Sequence, residues 1–142
     1  LGYLGKLAFT MRDEQSEESV ARNLRARVLE FLELASSKEA QLEYQQAAPG
    51  IQVSHEIFNQ WEDCYRLDLA AFRAGFSSTE LEALAQFNGI FVRVCEETPQ
   101  LMPPIADFVN TSAWKEYSEA ARAALDAIGP SIGQASVGDY RQ

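Results

Sequence analysis

An all-α, single-domain bundle of five to six helices with short connections is the architecture this sequence predicts. Apolar residues recur at helical spacing over nearly all of its 142 residues. Alternating β-branched runs are almost absent. Serine-led start signals and glycine or proline stop signals divide the chain into helix-sized pieces.

The opening Leu1-Gly2-Tyr3-Leu4-Gly5-Lys6-Leu7-Ala8-Phe9 has the apolarity of a signal-peptide core. Lys6 interrupts it, however, and charged Arg12-Asp13-Glu14 follow at once, so residues 1–15 are read as an N-terminal arm. The first long helix is expected from about Ser16 to Ser36, with Ser16 as N-cap and Glu17 and Glu18 at the positive end of the dipole. Its apolar stripe reads Val20, Leu24, Val28, Phe31, Leu32 and Ala35, while Arg22, Arg25 and Glu33 fall off it and are expected in solvent.

Ser36 and Glu39 have capping-box spacing, so a weaker helix over 37–47 should follow a turn, stopped by Pro49-Gly50. Val53 and Phe58 then have hydrophobic-staple spacing around Ser54, the expected N-cap of the next helix. Ile57, Phe58, Trp61, Cys64 and Tyr65 share one face of it, and His55, Asn59, Glu62, Asp63 and Arg66 the other. Continuing this helix would carry Asp68 into the apolar arc, so it is ended near Arg66. Asp68 becomes the expected N-cap of a short turn over 69–74, closed by Gly75.

Ser77 with Glu80 forms a second capping box, and Phe76 with Leu81 a second staple. The helix they open should reach about Glu97, with Leu81, Leu84, Phe87, Phe91, Val94 and Cys95 inward. Asn88-Gly89 is a weak point costing about 1 kcal/mol of propensity. Pro103-Pro104 suit the first turn of a short helix through Val109. The last helix is expected from Ser112 to Ile128, burying Trp114, Tyr117, Ala121, Leu125 and Ile128. Gly129-Pro130 should end it, leaving 130–142 as a C-terminal tail.

Twelve Lys and Arg against 21 Asp and Glu give a net charge of −9 and a pI near 4.6. Such a chain is ill suited to nucleic acid or anionic membrane, which need clustered cations. No apolar run approaches the ~20 residues of a membrane span. Cys64 and Cys95 each lie in a helical apolar pattern and read as small buried hydrophobes in a reducing, cytoplasmic setting.

His55 is the only histidine. His55-Glu56-Ile57-Phe58-Asn59 approaches the H-E-x-x-H zinc motif, but Asn59 stands where the second imidazole is needed. A di-iron bundle needs two Glu-x-x-His pairs and fails on the same count. Gly133 to Gly138 has one residue too many for a nucleophile elbow. The acidic pairs Glu62-Asp63, Glu96-Glu97 and Glu80 with Glu82 are organised by no calcium-loop pattern. No metal and no cofactor is therefore expected.

Two functional readings follow. Five of the nine net negative charges fall in residues 49–100. The first reading is a non-enzymatic interaction module whose acidic face, with Glu56, Glu62, Asp63, Arg66, Glu80 and Glu82, meets a basic protein. Inhibitors and immunity proteins that neutralise basic nuclease-type toxins are of this genre. The alternative is a helical small-molecule binder with a cavity lined by Trp61, Tyr65, Phe87, Phe91 and Trp114. An enzyme, the third class, would have to run on carboxylates or a bound cofactor.

Overall fold

The computed structural model describes residues 2–98 and 102–141, with side chains described for 17–98 and 102–128. Among these residues it is all-α, with seven helices and no strand: α1 (Gly2–Ala35), α2 (Lys38–Ala47), α3 (Val53–Cys64), α4 (Ala70–Ala74), α5 (Ser78–Glu97), α6 (Ile105–Phe108) and α7 (Ser112–Arg141). The excess over the expected five or six comes from α4, five residues long, where a turn was expected; the expected short helix after Pro104 is α6, of four residues. Helix α1 packs on α2, α3, α4 and α7, and α5 packs on α7. Helix α6 lies under α2 and α3.

Both expected ends are extended. Helix α1 begins at Gly2 rather than Ser16, because residues 4–15 are mostly good helix formers and a capping preference alone does not stop a helix. Helix α7 continues past Gly129-Pro130 to Arg141. A proline inside a helix forfeits one backbone bond and crowds the previous turn, but it does not oblige the chain to leave the helix.

The expected stripe of α1 is buried at Leu24, Val28, Phe31, Leu32 and Ala35. Val20 is the exception, 38% exposed, because at this turn Ala21 faces the neighbour, with Gly75 close against its carbonyl. Three expected caps are replaced. Ser37, not Ser36, caps α2, its Oγ accepting from Ala40 N at 3.1 Å. Helix α3 starts at Val53, whose N–H donates to Gln45 Oε1 at 3.1 Å. Ser54 is fully buried and donates to the Pro103 carbonyl at 2.6 Å instead of capping. The same helix ends at Cys64 rather than Arg66, and the residue before α4 is Leu69, while Asp68 is taken up by Arg66.

The Ser77–Glu80 capping box forms as expected, both reciprocal bonds present at 3.1 and 2.9 Å. Within α5, Leu84, Phe87, Phe91 and Val94 are buried, while Leu81 and Cys95 are half-buried. Helix α6 begins after Pro104, and its first turn needs no N–H from that residue.

Aromatic rings join the helices. Trp61 of α3 lies 5.4 Å from Phe31 of α1 and 4.7 Å from Phe87 of α5, centroid to centroid. Tyr117 of α7 meets Phe58 at 5.1 Å and Phe87 at 5.6 Å. Phe58 reaches Phe108 of α6 at 6.0 Å. Truncating a ring in such a core costs about 3–5 kcal/mol.

Two glycines should respond oppositely to alanine. A Cβ on Gly75 would stand 2.9 Å from the Ala21 carbonyl oxygen, so Gly75→Ala should destabilise by about 1–3 kcal/mol. A Cβ on Gly89 meets nothing within 4 Å, so Gly89→Ala should stabilise α5 by about 1 kcal/mol. Urea-denaturation midpoints of the two variants check the pair.

Candidate functional site

Helix α1 presents Arg27, Glu30 and Leu34 at spacings of three and four, and α3 presents Glu56, Gln60 and Asp63 at four and three. Each set occupies one face of its helix, and the packing of α1 on α3 turns the two faces toward a shared groove of about 460 Å³. Phe31 and Cys64, both buried, contribute its floor. Three carboxylates and one guanidinium thus line a concave surface. Carboxylates so placed accept hydrogen bonds from an ammonium or guanidinium group. Among the described residues no three His, Cys, Asp or Glu side chains converge closely enough to hold a metal.

Burial pushes the Cys64 thiol up to about 12, although the positive charge of Arg27 pulls the other way. Cys95 is pushed up to about 11 by burial and by the charges of Glu62 and Glu96. Both are free and protonated at neutral pH, which removes the thiolate a nucleophile needs.

The six residues expected on an acidic face are distributed as follows. Glu56 and Asp63 share the α1/α3 groove, together with Glu30. Glu62 is exposed on the side of α3 toward Cys95, and Glu82 is exposed on α5. Arg66 is engaged by Asp68 through two bonds of 3.0 and 2.9 Å, and these hold the Asp68 carboxyl below its usual range.

Glu80 is turned inward. Its two oxygens accept from Arg25 at 2.9 and 2.8 Å, and Oε1 also accepts the Ser77 N–H at 2.9 Å. Arg25 was expected in solvent, but its side chain is only 16% exposed. It also donates to the Gly75 carbonyl at 2.7 Å and lies 5.1 Å from the Phe76 ring centroid. This node ties α1 to the α4–α5 junction. Burial alone would raise the Glu80 carboxyl, but the Arg25 and Ser77 hydrogen bonds outweigh it and the value is lowered.

Of the aromatics named for a cavity, Trp61, Phe87 and Phe91 are 1, 2 and 5% exposed and in ring contact with one another or through Tyr117. Tyr65 stacks on Trp61 at 4.6 Å. Half-buried Trp114 stands outside this cluster, its Nε1 donating to Gln41 Oε1 at 2.8 Å. These rings fill the space between helices and hold one another. Phe87 also lines an open groove, the one between α5 and α7.

Glu30 was missed because the acidic segment was drawn at residues 49–100, and Glu30 lies one helix earlier. The available signal was its position three residues from Arg27 and four from Leu34, on the flank of the buried Val28–Phe31–Leu32 stripe.

The Glu80 pair carries a pH dependence of definite sign. A carboxyl lowered by folding stabilises the fold above its unfolded value of 4.5, and that contribution disappears as pH falls through the folded value. Between about pH 5 and about pH 3, wild-type denaturation midpoints should fall more steeply than those of Glu80→Gln. Arg25→Ala, which strands Glu80, should cost about 2 kcal/mol at neutral pH in the same assay. Thiol labelling of the native protein at neutral pH should leave Cys64 unmodified until denaturant is added.

No protein-family model, no curated protein and no solved structure matches this chain, so the reading of its surface rests on geometry and charge.

Proposed function

We propose that this chain is a non-enzymatic interaction module for a basic protein, of the inhibitor or immunity type. In this reading the α1/α3 groove receives a lysine or arginine side chain of the partner. The observation that carries it is the meeting of Glu30, Glu56 and Asp63 on one concave surface in a chain of net charge −9. Phe31 and Leu34 offer the stem of such a side chain an apolar wall while the carboxylates take its charged head. Long-range attraction from the whole chain would speed encounter and make it sensitive to salt. Free thiols at Cys64 and Cys95 suit a reducing compartment, and the cytoplasm is the proposed setting.

The test is affinity capture on the immobilised chain at low and high salt. The wild type should retain a basic protein that elutes as salt rises. Glu56→Lys with Asp63→Lys should lose it, affinity falling about tenfold or more per reversed charge. Glu82→Lys, away from the groove, should retain it. Capture that is insensitive to salt, or equal for the wild type and the groove variant, overturns the reading.

A further inference from the structure

Helices α5 and α7 pack antiparallel: Arg93 reaches Glu116 at 2.6 Å, Tyr117 touches Phe87 and Phe91, and the groove between them brings Ala83 and Ala127 together. That groove is apolar, of about 560 Å³, and open to solvent. Phe87 and Ile90 lie on its α5 side, and Ala120, Ala123 and Ala127 on its α7 side. Gly89 widens it. A mid-helix glycine weakens its helix, and nothing among the described residues uses the space it leaves.

Beside the groove, α7 carries a row of exposed charges, Lys115, Glu119, Arg122 and Asp126. Spacings of four, three and four align them along the helix. Glu119 and Asp126 flank Ala123, so the row borders the groove. Among the described residues none of the four is in an ion pair within the chain. In a protein of net charge −9 this row is neutral. Its order is also self-complementary. Turned end for end, Lys115 faces Asp126 and Glu119 faces Arg122, and each pairing occurs twice. A uniformly basic or acidic surface laid along it would meet two like charges.

We propose that the α5/α7 groove is a self-association surface, occupied by α7 of a second copy lying antiparallel across a two-fold axis. The axis passes midway along the charged row, between Ala120 and Ala121. In this register Ala123 falls midway between Ala120 and Glu116 of the second copy, as a knob enters a hole. The small alanines let the two backbones come close. Carried across the Arg93–Glu116 bridge, the level of the axis on α5 falls between Asn88 and Gly89. The unused space at Gly89 therefore lies where the second copy crosses. None of these residues lines the α1/α3 groove, so the two surfaces are independent.

Sedimentation equilibrium of the full chain tests the proposal. The wild type is expected to be dimeric at micromolar concentration. Arg122→Glu converts both Glu119–Arg122 pairings into repulsions and should weaken the dimer about tenfold or more. Combining it with Glu119→Arg reverses the pair but keeps the row self-complementary, and should restore the dimer. Both positions are exposed, so helix content by circular dichroism should be unchanged throughout. A wild type that stays monomeric up to its solubility limit overturns the proposal. So does a double variant that dissociates as readily as Arg122→Glu.

Discussion

The indole of Trp61 sets the terms on which the helices meet. It is 1% exposed, in contact with Phe31 of α1 and with Phe87 and Phe91 of α5, and Tyr65 stacks beside it. A buried indole brings a donor into the core, and leaving it unpaired is expensive. Asn88 Oδ1 accepts that donor at 3.0 Å. This explains a residue of poor helix propensity in the interior of α5. The capping box at Ser77 and Glu80 and the buried row from Leu84 to Val94 hold the helix through that turn.

The remaining buried polar groups work as fasteners between elements that meet end to side. Gln41 is fully buried, and its Nε2 donates to the carbonyls of Leu34 and Ala35 at 2.9 and 3.1 Å. Those carbonyls belong to the last turn of α1, where the Leu34 carbonyl also accepts the Ser37 N–H, from outside the helix, at 3.2 Å. Through Oε1 the same amide takes Trp114 of α7, so one side chain closes α1 and positions the start of α7. Buried Ser54 does similar work, donating to Pro103, and exposed Gln52 beside it donates to Met102, together fixing the entry to α6 against α3. Tyr117 differs: its buried hydroxyl has no hydrogen-bond partner among the described residues, and burial drives its ionisation well above the usual value. Its ring contacts with Phe58, Phe87 and Phe91 are what hold it there.

Helix existence and the inward faces were legible in the sequence because both follow from residues a few positions apart. The Ser77–Glu80 box is the clearest case, since all its partners lie within one turn. Ser54 and Asp68 fit local capping rules equally well, but stronger partners were elsewhere, at Pro103 forty-nine residues away and at Arg66. Arg25 looked like a solvated charge because its partner Glu80 is fifty-five residues distant. The candidate site was half legible for the same reason. Periodicity put Asp63 outward on α3 and the charge count added Glu56 to the acidic face, but only the packing of α1 on α3 adds Glu30 and makes a groove.

The closure of α1 against α7 also bears on how the protein is made. The stripe from Leu24 to Ala35 is covered in part by α7, so this apolar surface leaves the ribosome about eighty residues before part of its cover. Before α7 is synthesised, α1 can settle on α2, α3 and α4 and meet α5 through Phe31 and Phe87. The Arg25–Glu80 node becomes available once α5 has begun, and it fastens α1 to the α4–α5 junction before the final helix arrives. A part-buried ion pair that braces the finished fold is thus also among the contacts α1 can make before its last cover exists.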